Sequence, residues 1–205
     1  MPDITPDVVI DFWIGAAATD REAAREQSQL WYHADAALDR NIEKRFGAAI
    51  ELAGSGQLTD WEASPDGALA IVLLLDQFSR NANRGTAQAF AHDRAALEVA
   101  KRAIDAGYDR QVSVPGRAFM YHPFEHSESL TEQHRSIVLF EAFAADVDPL
   151  WRDFAESFLG YARGHREVVA RYGRFPHRNV ALKRANSADE HEYLKKGGNF
   201  GQDAP

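Results

Sequence analysis

The hydrophobic residues of this chain recur mostly three and four positions apart, which is the spacing of amphipathic α-helices. The first such pattern begins at Thr5 and Pro6, a typical helix start, and ends at Gly15. Similar start signals occur at Thr19 with Glu22, Asp35, Ser64 with Pro65, Thr86, Ser129 with Glu132, Asp148 with Pro149, and Ser187 with Glu190. Because no segment shows the alternation of a β-strand, the sequence predicts an all-α fold of about nine or ten helices.

The apolar run over residues 68–75 is hydrophobic on every side and therefore predicts a helix buried at the centre of the fold. Asp76 follows this run directly, and Arg80 lies on the same helix face one turn later. We predict that Asp76 is buried and held by Arg80 and by backbone amides of the next turn. Gln77 and Asn81 would extend this polar network. The alternative is that Asp76 acts as a catalytic base.

The charge balance of the chain limits the classes of partner that it is expected to bind. Acidic residues outnumber basic residues by 31 to 23, and the resulting negative field disfavours nucleic acid and anionic membranes. The chain has no cysteine, which excludes disulfides and thiolate metal sites. It shows no signal peptide and no apolar run of roughly 20 residues. We therefore expect a cytoplasmic protein with one helical domain over residues 1–196 and a disordered tail over residues 197–205.

The densest basic segment of the chain, residues 171–179, contains Arg171, Arg174, His177, Arg178 and Asn179. Gly173 within it marks a helix end. Guanidinium groups form forked hydrogen bonds with carboxylates and phosphates, so this corner is predicted to bind an anion. The alternative is a structural clamp, in which the arginines satisfy carbonyl groups at helix ends.

A second polar segment, residues 122–128, holds two histidines and two glutamates. Two histidines four positions apart bind one metal ion only on a continuous helix, and Pro123 is expected to interrupt that helix. We therefore predict no metal site here. His126 could instead act as a general base near neutral pH, with Glu128 orienting it. Alternatively, Glu125 or Glu128 pairs with an arginine of the basic segment.

The sequence gives little support for other kinds of catalytic or cofactor site. His165 lies on an aromatic helix face, where a hydrogen-bonded core histidine is the commoner outcome. The chain has neither a glycine-rich phosphate loop nor the nucleophile elbow of serine hydrolases. No cofactor is predicted.

Four motifs carry a resemblance to a known family. They are residues 73–81 (LLLDQFSRN), 84–86 (RGT) with 89–91 (AFA) and Asp93, 123–128 (PFEHSE) and 174–179 (RFPHRN). Their order along nearly the whole chain resembles the DUF924 family, although Ser79 stands where that family usually has proline. The resemblance implies an irregular helical superhelix similar to tetratricopeptide-repeat (TPR) proteins, and it implies no particular chemistry. The superhelix rests on this resemblance alone, because the sequence shows no repeat of about 34 residues.

Two functional hypotheses follow, and an enclosed pocket or a long open groove would distinguish them. In the first, a pocket holds a small carboxylate or phosphate compound, while His126 or His177 moves a proton and Glu128 orients it. The candidate ligand-binding residues are Arg80, Arg84, Arg174, Arg178 and Asn179. In the second, a TPR-like groove binds an acidic peptide or a C-terminal carboxylate through the same arginines. The motifs could also be wholly structural.

Overall fold

The computed structural model describes residues 4–32 and 35–197, and within these ranges it contains helices and no β-strand. The α-helices are α1 (Pro6–Trp13), α2 (Arg21–Tyr32), α3 (Ala36–Gly54), α4 (Pro65–Val72), α5 (Ser79–Ala82), α6 (Asp93–Asp105), α7 (Val114–Glu125), α8 (Leu130–Asp146), α9 (Arg152–Tyr172) and α10 (Ala188–Lys195). The predicted all-α fold is confirmed. The predicted tail lies outside the described residues from position 198 onward, and the domain division stays a prediction.

Several helix starts follow the local capping chemistry that the sequence predicts. The side chain of Thr5 accepts a hydrogen bond from the amide of Val8 at the start of α1. Asp35 caps α3 in the same way, and Ser64 caps α4. Ser187 forms the full capping box at the start of α10. At its C-terminus, α9 ends at Gly173, which adopts φ 70°, a conformation that favours glycine.

Two predicted caps are wrong, the first because a neighbouring residue takes the role and the second because no side-chain capping bond forms. Asp20, not Thr19, caps α2, since its Oδ1 accepts a hydrogen bond of 2.8 Å from the Glu22 amide. Ser129 precedes α8 without a side-chain capping bond. The expected partner, Glu132, instead forms an ion pair of 2.8 Å with Lys101.

The predicted start at Thr86 is also wrong. Thr86 precedes a 3₁₀ turn (Ala87–Phe90) and makes no side-chain capping bond. Its hydroxyl donates to the carbonyl of Asn83 at 2.8 Å, and the long helix α6 begins only at Asp93.

The apolar run forms the buried centre of the fold, as predicted. Helix α4 passes without a break into a π-helical segment (Leu73–Phe78) and then into α5. Helix α4 packs against α1, α6 and α7, and α3 covers the π-helical segment and α5. All six side chains of the π-helical segment are buried, including those of Asp76 and Gln77. Segments of this kind occur frequently at functional sites.

Pro123 does not interrupt its helix, which contradicts the expectation drawn from the sequence. Helix α7 runs through Pro123 to Glu125, and the His126 amide still donates to the His122 carbonyl at 2.9 Å. Nearly every residue of α7 is buried against α4, α6, α8 and α9. Packing therefore outweighs the backbone hydrogen bond that proline cannot make.

The last long helices, α8 and α9, form the most extensive helix–helix contact among the described elements. Such helix pairs are consistent with the predicted TPR-like superhelix, which itself stays a prediction. No helix in the described ranges is long and apolar enough to cross a membrane.

Candidate functional site

A cavity of about 290 Å³ lies between α2, α5, α7, α9 and the 3₁₀ turn Pro176–Arg178. Its floor includes His122 and Glu125, each 3% exposed. Its mouth includes Tyr32 and Tyr161, which are 38% and 52% exposed and stack with ring centroids 5.7 Å apart. The cavity therefore leads from an aromatic rim to buried titratable groups.

Asp76 lies behind this floor at the centre of a buried network. Its Oδ1 lies 2.8 Å from Arg80 Nη1 and 2.8 Å from His126 Nδ1. Gln77 Nε2 donates to its Oδ2 at 2.6 Å. Burial alone would raise the pKa of Asp76, but Arg80 and His126 outweigh burial and hold this pKa below its ordinary value. The pair of Asp76 with Arg80 follows the predicted pattern, while side chains replace the expected turn amides.

Asp93 joins two of the cavity arginines. One carboxylate oxygen lies 3.0 Å from Arg80 Nη1, and the other accepts from Arg178 Nη1 at 3.0 Å. Arg178 Nη2 also donates to the His126 carbonyl at 2.8 Å. Burial and the neighbouring Arg80 charge lower the pKa of Arg178 to about 10, against the opposing effect of Asp93. Arg178 therefore keeps its charge at neutral pH.

A third arginine reaches the cavity from the turn after α5. Arg84 forms a forked pair with Asp39 of α3, with N–O distances of 2.7 and 3.0 Å. Arg84 Nη2 also donates to Asn81 Oδ1 at 2.7 Å, and Asn81 Nδ2 donates to the Gln77 carbonyl at 2.9 Å. Arg84, Asn81 and Gln77 all line the cavity, so the predicted polar network extends to its wall.

Three histidines of the cavity share one arrangement. Nδ1 lies 2.8 Å from the Ala118 carbonyl in His122 and 2.9 Å from the Tyr161 carbonyl in His165, and in His126 it faces Asp76. Oxygen acceptors of this kind place the ring proton on Nδ1 and leave the lone pair of the neutral ring on Nε2. Burial lowers the pKa of each of these histidines, and that of His165 falls to about 4.

Glu125, for which the sequence suggested only a pairing with an arginine, lies at the floor of the cavity. Its Oε1 lies 3.7 Å from His122 Nε2 and 3.9 Å from His126 Nε2. Its buried Oε2 has no hydrogen-bond partner among the described residues. Burial and the nearby charge of Asp76 raise its pKa well above the ordinary value. An expectation that the helix continues through Pro123 would have predicted this position, because a continuous helix places Glu125 one turn after His122.

One trio has the arrangement of potential metal ligands. Ligand atoms of Glu125, His126 and His165 all lie within 4.8 Å of one another. His165, for which the sequence favoured a core role, thus belongs to the cavity wall.

The basic segment contributes only two of its predicted residues to the cavity. His177 and Arg178 line it, and burial together with the Arg178 charge lowers the pKa of His177 to about 2. Asn179 is fully buried, and its Nδ2 donates to Asn186 Oδ1 at 2.7 Å. Asn179 does not line the cavity.

Arg174 and Glu128 do not line the cavity, so the hypothesis that both act in one pocket with His126 and His177 is corrected. Arg174 forms a forked pair with Glu190 of α10, with N–O distances of 2.6 and 2.8 Å. Glu128 accepts hydrogen bonds from the Phe175 amide at 3.0 Å and from Arg184 at 2.9 Å. Arg174 and Glu128 thus contact the C-terminal segment through Glu190 and Arg184, which is the arrangement expected of a structural clamp.

The fold and the cavity define an all-helical protein with a charged, partly enclosed pocket. The chain belongs to the DUF924 family, since the family model described as "Bacterial protein of unknown function (DUF924)" matches residues 9–198. It is similar to the solved structure of a protein of unknown function, ATU0120 from Agrobacterium tumefaciens. The two share 36% identity over 94% of this chain and 97% of the other, with a TM-score of 0.77. No curated protein matches the chain.

Proposed function

We propose that the cavity binds a small molecule that carries a carboxylate or phosphate group. The observation that carries this proposal is Arg80, a residue of the cavity wall whose buried Nη2 has no hydrogen-bond partner in the described part of the chain. Leaving such a donor unsatisfied costs about 1–3 kcal/mol or more. An anionic oxygen would satisfy it with a strong, charge-assisted hydrogen bond.

The distribution of charge supports an anionic ligand. Among the described residues that line the cavity, the arginines are Arg80, Arg84 and Arg178, whereas the only carboxyl group is that of Glu125. The carboxylates that pair with these arginines lie outside the lining. These arginines are ion-paired with Asp76, Asp93 and Asp39, but the lining itself offers three guanidinium groups and one carboxyl group, and guanidinium donors bind small anions.

The size of the cavity favours a small molecule over the peptide alternative. Its volume of about 290 Å³ is close to the lower end of ligand pockets, which is about 300 Å³. A peptide-binding superhelix presents an extended concave surface instead. The aromatic rim of Tyr32 and Tyr161 adds a flat apolar wall to the polar interior. A cytoplasmic location remains a prediction from composition.

Replacing Arg80 with lysine tests the proposal. The ammonium group can keep a charge beside Asp76 and Asp93, but it lacks the second nitrogen, Nη2. Metal-free wild-type protein is expected to bind inorganic phosphate or malonate with saturable stoichiometry in isothermal titration calorimetry. In Arg80→Lys, the affinity should fall about tenfold or more, because a charge-assisted hydrogen bond is lost.

Arg174→Lys is the matched control, since Arg174 lies in the clamp outside the cavity. This variant should keep the affinity of the wild type and lose thermal stability instead. The absence of saturable binding to the wild type, or equal affinities in wild type and Arg80→Lys, would overturn the proposal. An acidic peptide that binds where both small anions fail would establish the alternative.

A further inference from the structure

The geometry points to a binding site for one divalent first-row transition-metal ion, held by Glu125, His126 and His165 at the floor of the cavity. This inference goes beyond the proposed function and does not depend on it. The ion would occupy the same cavity as the anion but would use a different set of side chains.

The separations of the three ligand atoms fit one ion. Two ligands that each lie about 2.1 Å from a metal are themselves about 3–4 Å apart. Glu125 Oε1 and His126 Nε2 lie 3.9 Å apart, and all three ligand atoms lie within 4.8 Å of one another. Closing the site therefore requires only small side-chain rotations.

The surrounding hydrogen bonds orient the two histidines as metal ligands. Metal-bound histidines commonly donate their other ring N–H to a carboxylate or to a backbone carbonyl. His126 makes the first kind of contact, with Asp76 at 2.8 Å, and His165 makes the second, with the Tyr161 carbonyl at 2.9 Å. Both contacts use Nδ1, so Nε2 is the nitrogen that can coordinate in each ring.

Glu125 supplies an independent observation. Its side chain is 3% exposed, and its Oε2 has no hydrogen-bond partner within residues 4–32 and 35–197. A buried carboxyl oxygen without a hydrogen-bond partner is unfavourable, and coordination of the group to a cation is one arrangement that stabilises it. Arg80 does not fill this role, since its Nη2 and Glu125 Oε2 each have no hydrogen-bond partner among the described residues.

The donor set indicates the class of metal. Two imidazole nitrogens and one carboxylate suit zinc, iron(II), manganese(II) and similar ions rather than calcium or copper(I). Three protein ligands leave coordination positions open for water or for an anion. Asp76 places a further negative charge directly behind His126 and offsets the repulsion from the cavity arginines.

A metal at this site would change the role of His126. A ring nitrogen that coordinates a metal has no lone pair for accepting a proton. The metal site and a general-base role for His126 Nε2 therefore exclude each other, and proton transfer would fall to a metal-bound water, whose pKa a zinc ion lowers to about 7.

Metal retention by the full-length, untagged protein tests this inference. Chelator-treated protein in phosphate-free buffer is equilibrated separately with zinc, manganese(II) or, without oxygen, iron(II), and then desalted. Mass spectrometric metal analysis should find about one equivalent per chain for at least one of these ions. The isosteric variant Glu125→Gln and the variant His165→Gln should each lower the affinity at least about tenfold. Circular dichroism verifies that both variants remain folded.

The exposed His191 of α10 provides the control, since His191→Gln should retain the metal like the wild type. The inference is overturned if no ion is retained, or if Glu125→Gln and His165→Gln retain it as well as the wild type. The two proposals fail separately. The anion titration uses metal-free protein, so retained metal without phosphate binding contradicts only the anion proposal, and the reverse result contradicts only the metal site.

Discussion

Replacing Asp76 with alanine should lower the free energy of unfolding by about 3–5 kcal/mol, which is the cost of breaking a buried ion pair. The substitution removes one of the two carboxylates that face the guanidinium group of Arg80, which is only 6% exposed, and leaves it with Asp93 at 3.0 Å. The same carboxylate faces Gln77 Nε2 and His126 Nδ1. Equilibrium unfolding in urea, followed by circular dichroism, measures this loss.

Asp105→Ala is the matched control for this experiment. The Asp105 side chain is 74% exposed and lies 3.5 Å from Arg135, so its removal should change stability by less than about 1 kcal/mol. If Asp76→Ala also costs less than about 1 kcal/mol, the carboxylate is not held in a buried network.

Replacing Phe78 with alanine should also lower the free energy of unfolding by about 3–5 kcal/mol, because it leaves a cavity in the core. Phe78 is fully buried on the π-helical segment between Asp76 and Arg80. Its ring centroid lies 4.8 Å from that of Phe46 and 5.3 Å from that of Trp13. This packing fixes the helix that carries both charged groups, and urea unfolding measures its contribution.

Val138→Ala provides the corresponding control in α8. Val138 is 63% exposed, so its truncation should change stability by no more than about 0.5 kcal/mol. Similar effects of the two substitutions would contradict the central position of Phe78 in the core.

The features that sequence could predict depend on neighbouring residues. The caps at Thr5, Asp35 and Ser64 form because a side-chain oxygen meets amides two or three positions later. The prediction fails at Thr19 because Asp20, one position later, is equally suited to capping. Local chemistry therefore locates a helix start within a residue or so but does not decide between adjacent candidates.

Pro123 shows where local rules stop being sufficient. The sequence predicts a helix break because proline lacks the amide hydrogen that an interior position uses. The burial of α7 on several sides stabilises the helix despite this loss. Because a break was predicted at Pro123, the sequence did not predict that His122 and Glu125 lie one helical turn apart. The carboxyl group at the floor of the cavity was missed for the same reason.

The site likewise contains some contacts that local sequence predicts and others that it does not. Asp76 and Arg80 are one helical turn apart, so their proximity follows from the sequence. Their contact with His126 joins residues 50 positions apart and depends on how α7 packs against the π-helical segment. Arg174 and Arg178 are similarly close in sequence, yet the turn at Pro176 sends only Arg178 into the cavity.

A crystal structure of the protein with inorganic phosphate tests the central claim, that the cavity is an anion-binding site, most directly. We expect density for phosphate inside the cavity, with one oxygen within about 3 Å of the Arg80 guanidinium group. A cavity that contains only water while phosphate occupies surface positions would contradict this account.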